Sequence, residues 1–438
     1  MSRSEPIRVR HTKYGKGVVL VRIGPGQVRV YFDSIGGTRV VPENDLQPLG
    51  AASHISSSIP EPPQLSVVRS DAAGLRAERL TLECLRQGLP PRGHVEAWTV
   101  GFSDVRTTLS TAIANVGKSA TGSTIVVQGS YGHGKSHAGE FVREVALKRG
   151  VIALRADLDG QGVTLARSGR LLARLLASLE LPSGTGATAV PGLGSLLRVA
   201  ASKLRGRVPP GCELLGPILE HATEWEGSEE TIVLLEDYLA GERRRLQLEF
   251  ELRHMLPGVP VRLPPLRTNW GSVEARIGAQ MEVLSAIIAL GVATRAPGAL
   301  LILDEFDHEI RSREWPRATG ALRALIDLPR RAPLVIVLLS PSNLPLADVR
   351  HLTLKPLDSG ALRSLTLRTV EAYRAAFPDK LPRGGEEELF QRLLGLYKKE
   401  YEALGWGPRF FVRAAVEACD RAAVQKRQLV SRARRLCT

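Results

Sequence analysis

The chain is short of cysteine, of acidic residues and of uninterrupted apolar sequence, and each shortage excludes something. Four cysteines, Cys84, Cys212, Cys419 and Cys437, are scattered through 438 residues with no Cys-x-x-Cys or Cys/His spacing. That pattern argues against a structural zinc site and against a disulfide framework. The first residues carry no apolar signal region, and no run reads as long and apolar enough to span a bilayer. The expectation is a soluble, cytoplasmic protein without membrane contact. Internal repeats are absent. Acidic residues number 45 against 59 Lys and Arg, for a formal net charge of +14. The corresponding pI is about 10.0. Such a balance favours a polyanionic partner, nucleic acid being the usual one, although an Arg-rich solvated surface gives the same number.

Hydrophobic residues make up 43% of the chain, enough for a sizeable interior, and the length calls for two or three domains. Residues 1–50 alternate short strands (Val9, Val18–Val21, Val28–Phe32, Val40–Val41) with glycine turns at Gly15, Gly17, Gly24, Gly26, Gly36 and Gly37. Close strands with such turns predict a small curled β-barrel. The order His-x-x-Tyr-Gly-x-Gly-x-Val, then Val-x-Val-x-Phe, resembles Tudor- or SH3-like modules, which bind protein or nucleic acid. Residues 51–69, rich in Ser and Pro, read as a linker.

From residue 70 the pattern changes to helices alternating with apolar strands at Ser123–Gln128, Val151–Asp157, Ala299–Leu303 and Pro333–Leu339. This alternation predicts a parallel sheet with helices on both faces over residues 70–354. After Pro356 the apolar spacing turns helical throughout, which reads as a lid domain over 355–438.

Gly129-Ser130-Tyr131-Gly132-His133-Gly134-Lys135-Ser136 fits G-x-x-x-x-G-K-[ST] between an apolar strand and a helix. Glycines let backbone N–H groups turn toward phosphates, and the helix N-terminus adds partial positive charge. The expected phosphate-loop residues are Gly129, Gly132, His133, Gly134, Lys135, Ser136 and His137. Lys135 is expected at the β- and γ-phosphates and Ser136 on Mg2+. The two histidines are expected to shape the loop or face solvent.

Ala299–Leu303 ends in Asp304-Glu305. Asp304 is the expected magnesium carboxylate, and Glu305 the group that orients the attacking water. Lys135, Asp304 and Glu305 are thus the expected catalytic residues, ATP and Mg2+ the expected cofactors. A competing run, Ile232–Asp237, also ends in acids but continues into a charged, helix-like stretch. The long interval between Lys135 and Asp304 predicts a helical insertion over about 160–295. Ser340 and Asn343, after the next strand, are candidates to sense the γ-phosphate, although turn chemistry accounts for them equally. Gly407-Pro408-Arg409 opens a lid helix, and Arg409 matches the second sensor position of AAA+ ATPases, with a surface arginine as the alternative. Arg311, Arg313, Arg317, Arg330 and Arg331 are five undistinguished candidates for an arginine finger. The predicted fold class is therefore α/β, an AAA+ P-loop NTPase with a helical lid and a small N-terminal barrel.

Several features coincide in one order: Leu85–Arg92 with its Leu-Pro-Pro-Arg segment, the loop ending Lys135-Ser136-His137, Tyr238-Leu-Ala-Gly-Glu242, Leu303-Asp-Glu-Phe-Asp-His-Glu309, and Gly407-Pro-Arg-Phe-Phe-Val-Arg413. Over residues 70–425 the chain resembles the ATP-binding protein family of bacterial BREX phage-exclusion systems, itself similar to the origin-recognition branch of AAA+ proteins. The resemblance implies an ATPase of anti-phage defence that works at DNA, double-stranded DNA being favoured, with partner defence proteins and a homo-oligomer in ATP. His133 departs from the small residue that many relatives carry, which implies altered nucleotide affinity. Little chain follows the lid, so a winged-helix domain is not expected. DNA contact would then fall to the barrel, the insertion or the basic tail from Lys426 to Arg435. Three functions compete: a DNA-coupled ATPase, an ATP-gated scaffold with slow hydrolysis, and a recruiting barrel on a structural P-loop.

Overall fold

The computed structural model describes residues 8–48, 69–182, 192–255, 263–266 and 272–436, apart from 13, 14, 25, 26, 33–36, 92, 120, 161, 221–228, 242, 311–313, 342, 343, 345, 347, 348, 379, 382, 383, 405 and 406. Residues 51–68 of the expected linker fall outside them, as do the finger candidates Arg311 and Arg313 and the sensor candidate Asn343. Two compact units result, Met1–Ser66 and Val67–Thr438.

The first unit holds β1 (Arg8–His11), β2 (Gly15–Gly24), β3 (Gln27–Phe32), β4 (Gly37–Pro42) and β5 (Leu46–Pro48). They form an antiparallel sheet in the order β4-β3-β2-β1-β5. β1 to β4 pair in sequence order, and β5 returns to pair with β1. Val9 and Val41 are buried in it.

The second unit begins with α1 (Arg69–Arg86), α2 (Val95–Trp98) and α3 (Ser103–Asn115), followed by β6 (Ser123–Gln128), α4 (Lys135–Lys148) and β7 (Ile152–Asp157). Then come α5 (Ser168–Ala177), α6 (Leu193–Leu204), α7 (Gly216–Glu220), α8 (Glu229–Leu239), α9 (Arg245–Met255) and α10 (Val273–Ala293). β8 (Ala299–Asp304), α11 (Phe306–Ile310), α12 (Trp315–Asp327), β9 (Leu334–Ser340) and β10 (Arg350–Thr353) complete the sheet region. The chain continues as α13 (Ser359–Ala376), α14 (Glu386–Leu404) and α15 (Pro408–Leu436).

The sheet order is β10-β6-β9-β8-β7, every pair parallel. One strand, β9, therefore separates the strand before the glycine-rich loop from the strand of Asp304. Strand residues point alternately to two faces. Ile125, Val127, Leu300, Ile302, Val335 and Val337 pack toward α4 and α3, whereas Val126, Leu301, Leu303, Ile336 and Leu338 pack toward the helices between β7 and β8. Both faces are apolar because both are covered.

Two readings of the sequence need amendment. α10 is long and apolar enough to cross a bilayer, although no such run was expected. Its Val283, Leu284, Ile287, Ile288 and Leu290 are fully buried, so within this structure it is a core helix. And α1, grouped by sequence with the sheet, buries Leu82 and Leu85 against Leu362, Leu365, Phe411 and Val416 of α13 and α15. The lid bundle thus has its own core, to which a helix from before the sheet contributes. Ile232–Asp237, the competing acidic run, lies in α8 with Leu234 and Leu235 buried.

Candidate nucleotide site

β6 delivers the glycine-rich loop and α4 starts on Lys135. Gly132 and Gly134 have φ of +78° and +97°, values that side chains rarely adopt. A Cβ at Gly134 would also meet the ring of Phe102 at 3.2 Å. Lys135 Nζ donates to the carbonyls of Gly129 and Ser130, at 2.7 and 3.2 Å. The loop's first N–H, on Gly129, donates to Ser340 O at 3.2 Å, which ties the loop to the end of β9.

Asp304 ends β8 and is 3% exposed. Its Oδ1 accepts from the Glu305 N–H at 2.8 Å, and its Oδ2 takes the Arg155 guanidinium at 2.9 Å. Burial pushes the Asp304 carboxyl above the usual carboxylate range; Arg155 and a hydrogen bond with the Ser136 side chain pull against that rise. Ser136 and Asp304, although 168 residues apart in sequence, line the same cavity. Glu305 is exposed and has φ of +63°. Left-handed backbone in a non-glycine residue costs energy and concentrates at functional positions.

A hydroxyl beside a carboxylate is an oxygen donor set, which is what Mg2+ takes. Among the described residues no three His, Cys, Asp or Glu side chains are grouped to hold a metal. The donors present fit an ion completed by phosphates and water, the usual manner for Mg2+, and not a protein cage.

The two loop histidines have separate surroundings. His133 is buried, 7% exposed, beside Gly407 and Leu354. Burial lowers its pKa, the Lys135 charge adds to that, and a backbone bond to Leu354 opposes it. His137 is half-buried, and its Nε2 lies 2.9 Å from Thr99 Oγ1. That hydroxyl donates to Val95 O at 2.8 Å, so it accepts from His137, which fixes the Nε2–H tautomer. Burial holds the His137 pKa down to about 4, with Glu140 opposing.

The lid meets the loop at Gly407-Pro408-Arg409. Arg409 N–H donates to Gly132 O at 3.3 Å, and Arg409 Nη1 donates to Tyr131 Oη at 2.9 Å. The guanidinium also lies 5.2 Å from the Tyr131 ring centroid, within cation–π range. Pro408 opens α15, where a missing N–H goes unnoticed.

Between these parts lies a cavity of about 660 Å³. Lys135, Ser136, Asp304, Glu305 and Arg409 line its polar end. Its apolar end is made by Leu89, Pro90, Pro91, Trp98, Val100 and Phe102 from before the sheet, closed by Leu357, Leu365, Pro408 and Val412 of the lid. Sequence reasoning did not single out Trp98, Val100, Phe102 or Arg155. The first three were open to suspicion, since Trp-Thr-Val-Gly-Phe follows Leu-Pro-Pro and precedes the loop strand; nothing marked Arg155. Ser340 is fully buried, and its Oγ has no hydrogen-bond partner among the described residues, but it does not line the cavity. Arg317, Arg330 and Arg331 are exposed and do not line it either.

Comparison with known proteins fits the geometry over part of the chain. No curated protein matches it in sequence. A solved structure titled "Structure of Drosophila ORC bound to DNA" aligns with 83% of this chain and 70% of its own, at 13% identity and a TM-score of 0.31. A likeness that low says nothing of DNA here. Residues 75–192, which carry α1, the apolar wall segment, the phosphate loop and β7, match the family described as BREX system ATP-binding protein BrxC/D.

Proposed function

We propose that the chain binds ATP with Mg2+ in this cavity and hydrolyses it, as an AAA+ component of a BREX-type phage-defence system. The observation that carries the reading is that Lys135 and Ser136, at the start of the phosphate-loop helix, line one cavity with Asp304 and Glu305, at the end of a strand two places away in the sheet. There the loop N–H groups and Lys135 form an anion site at a helix N-terminus. Ser136 and Asp304 would hold the ion. When bound with the nucleotide, Mg2+ supplies charge neutralisation across the β- and γ-phosphates. Lys135, which now donates to loop carbonyls, exchanges them for phosphate oxygens. Glu305, exposed at the cavity wall, accepts a proton from the attacking water and orients it. The apolar end takes the adenine, and Arg409 reaches the γ-phosphate from the lid as Tyr131 releases it.

Coupling to duplex DNA and to partner defence proteins is part of the proposal; the net charge of +14 and the matched family support it. The test is the ATPase rate with and without duplex DNA, together with oligomer mass in ATP and in ADP. Turnover stimulated by DNA and lost in Lys135→Ala and Glu305→Gln is expected; turnover indifferent to every DNA would remove the DNA coupling. A second reading, an ATP-gated scaffold with slow hydrolysis, is favoured by the Arg409–Tyr131 contact, through which loop occupancy would set the lid. It expects Glu305→Gln to keep partner binding and Lys135→Ala to lose it.

A further inference from the structure

The Asp304 carboxylate has a partner that a generic phosphate site does not require. Arg155 stands on β7, next to β8, and its register partner is Ile302, two residues before Asp304. Its guanidinium pairs Asp304 Oδ2 at 2.9 Å, Asp157 Oδ1 at 3.0 Å and Glu140 Oε2 at 3.8 Å. Glu140 is 3% exposed and lies on α4, little more than a turn beyond Lys135 and Ser136. Glu140 also pairs Arg143, which pairs Glu180. Four carboxylates and two guanidiniums thus form one chain, from the helix that presents Lys135 and Ser136 to the end of β8. A buried charge is costly unless it is paired and hydrogen-bonded. Arg155 meets that condition only in this one place, and its planar fork reaches three carboxylates at fixed angles, which a lysine cannot reproduce.

We propose that Arg155 is a positioning residue of the cation site. It clamps one oxygen of Asp304 while the Glu305 N–H fixes the other, so the carboxylate offers a single orientation beside Ser136. Through Glu140 the same guanidinium ties that orientation to α4. The inference rests on the reading of Asp304 as the magnesium carboxylate. It predicts that metal affinity in the nucleotide complex depends on a residue that touches neither metal nor nucleotide.

The test is an electron paramagnetic resonance titration of Mn2+ into the full-length protein saturated with a non-hydrolysable ATP analogue. Nucleotide affinity in EDTA and thermal melting are measured beside it. Arg155→Gln is expected to weaken Mn2+ by roughly 10–100-fold, the usual range for partners of metal ligands, with metal-free nucleotide affinity unchanged. Arg155→Lys, which keeps the charge and loses the fork, is expected to fall between Gln and wild type. Should Arg155→Gln fail to fold, Asp157→Asn removes one anchor of the guanidinium and is expected to give a smaller loss in the same direction. Wild-type or tighter Mn2+ affinity in whichever of the two folds overturns the clamp; tighter binding would mark Arg155 as a competitor of the metal. Asp304→Asn separates the two readings. A defect there beside a wild-type Arg155→Gln overturns the clamp alone, and no defect there overturns the assignment of Asp304 and the clamp with it.

Discussion

The two ends of the cavity are built by different means. At the polar end Lys135 is held by backbone carbonyls and Asp304 by the Glu305 N–H and the Arg155 guanidinium. The apolar end is assembled from α2, the segments beside it and the lid helices, and its side chains meet by packing. The first tolerates little displacement, since charge-assisted bonds depend on distance and angle. On the proposed reading the phosphates fall to the polar residues and the base to the apolar ones, and substitutions should sort accordingly.

The largest effect is expected at the polar end. Glu305→Gln should slow single-turnover hydrolysis by about 10²–10⁴, the range for a positioned general base, and leave ATP affinity at the wild-type level. Hydrolysis within a few-fold of wild type would transfer the role to another group. Next, Lys135→Ala removes a charged donor of a class worth about 1.5–3 kcal/mol per hydrogen bond. Calorimetry should show ATP affinity down by roughly 10–100-fold and AMP affinity little changed, because AMP lacks the phosphates that Lys135 serves.

At the junction of the two ends, a Cβ on Gly407 would lie 2.6 Å from the carbonyl carbon and oxygen of Gly132. Gly407→Ala must push the lid off the loop, and overpacking of this kind costs about 1–3 kcal/mol. A lower melting temperature and a weaker ATP complex are expected; wild-type values for both would mean that the lid does not seat on the loop. Phe102→Ala, at the apolar end, should cost ATP and AMP alike, by about 1 kcal/mol of lost aromatic contact. A loss confined to ATP would break the assignment of the ends.

The smallest effect at neutral pH belongs to His137→Gln. The folded His137 value, about 4, lies below its ordinary 6.5. As pH falls through 6.5 the unfolded chain takes the proton first, so folding stability is lost between 6.5 and 4, by roughly 3 kcal/mol at most. Gln can still donate to Thr99 but does not titrate, so its unfolding midpoint should fall less steeply over that window. Parallel pH profiles would contradict a neutral His137 in the folded protein.

The polar end was legible because its chemistry is local. A phosphate loop must be contiguous to curl, and the acids must follow directly on a buried strand, so Gly129–Ser136 and Asp304-Glu305 stand out in one dimension. β6, β7, β8 and β9 were legible as apolar runs. β10 was not, because its Arg350-His-Leu-Thr is mostly exposed and carries no apolar run. The apolar end was hidden because it joins Leu89 and Phe102 to Leu365 and Val412, and no spacing rule spans that distance. Arg155 looked like one polar residue in a strand; only the parallel register of β7 with β8 shows that it caps Asp304. The membership of α1 in the lid core had the same cause, since an amphipathic helix shows a face in sequence but not what covers it.

The central claim is that triphosphate lies between Lys135 and Asp304 with the base in the apolar end. A crystal structure grown with Mg2+ and a non-hydrolysable ATP analogue tests it most directly. The account predicts phosphate density at the Gly132–Ser136 backbone, Lys135 turned from the Gly129 carbonyl onto it, and the adenine against Trp98 and Phe102. Nucleotide bound elsewhere, or a cavity empty of it at saturating analogue, would contradict the account.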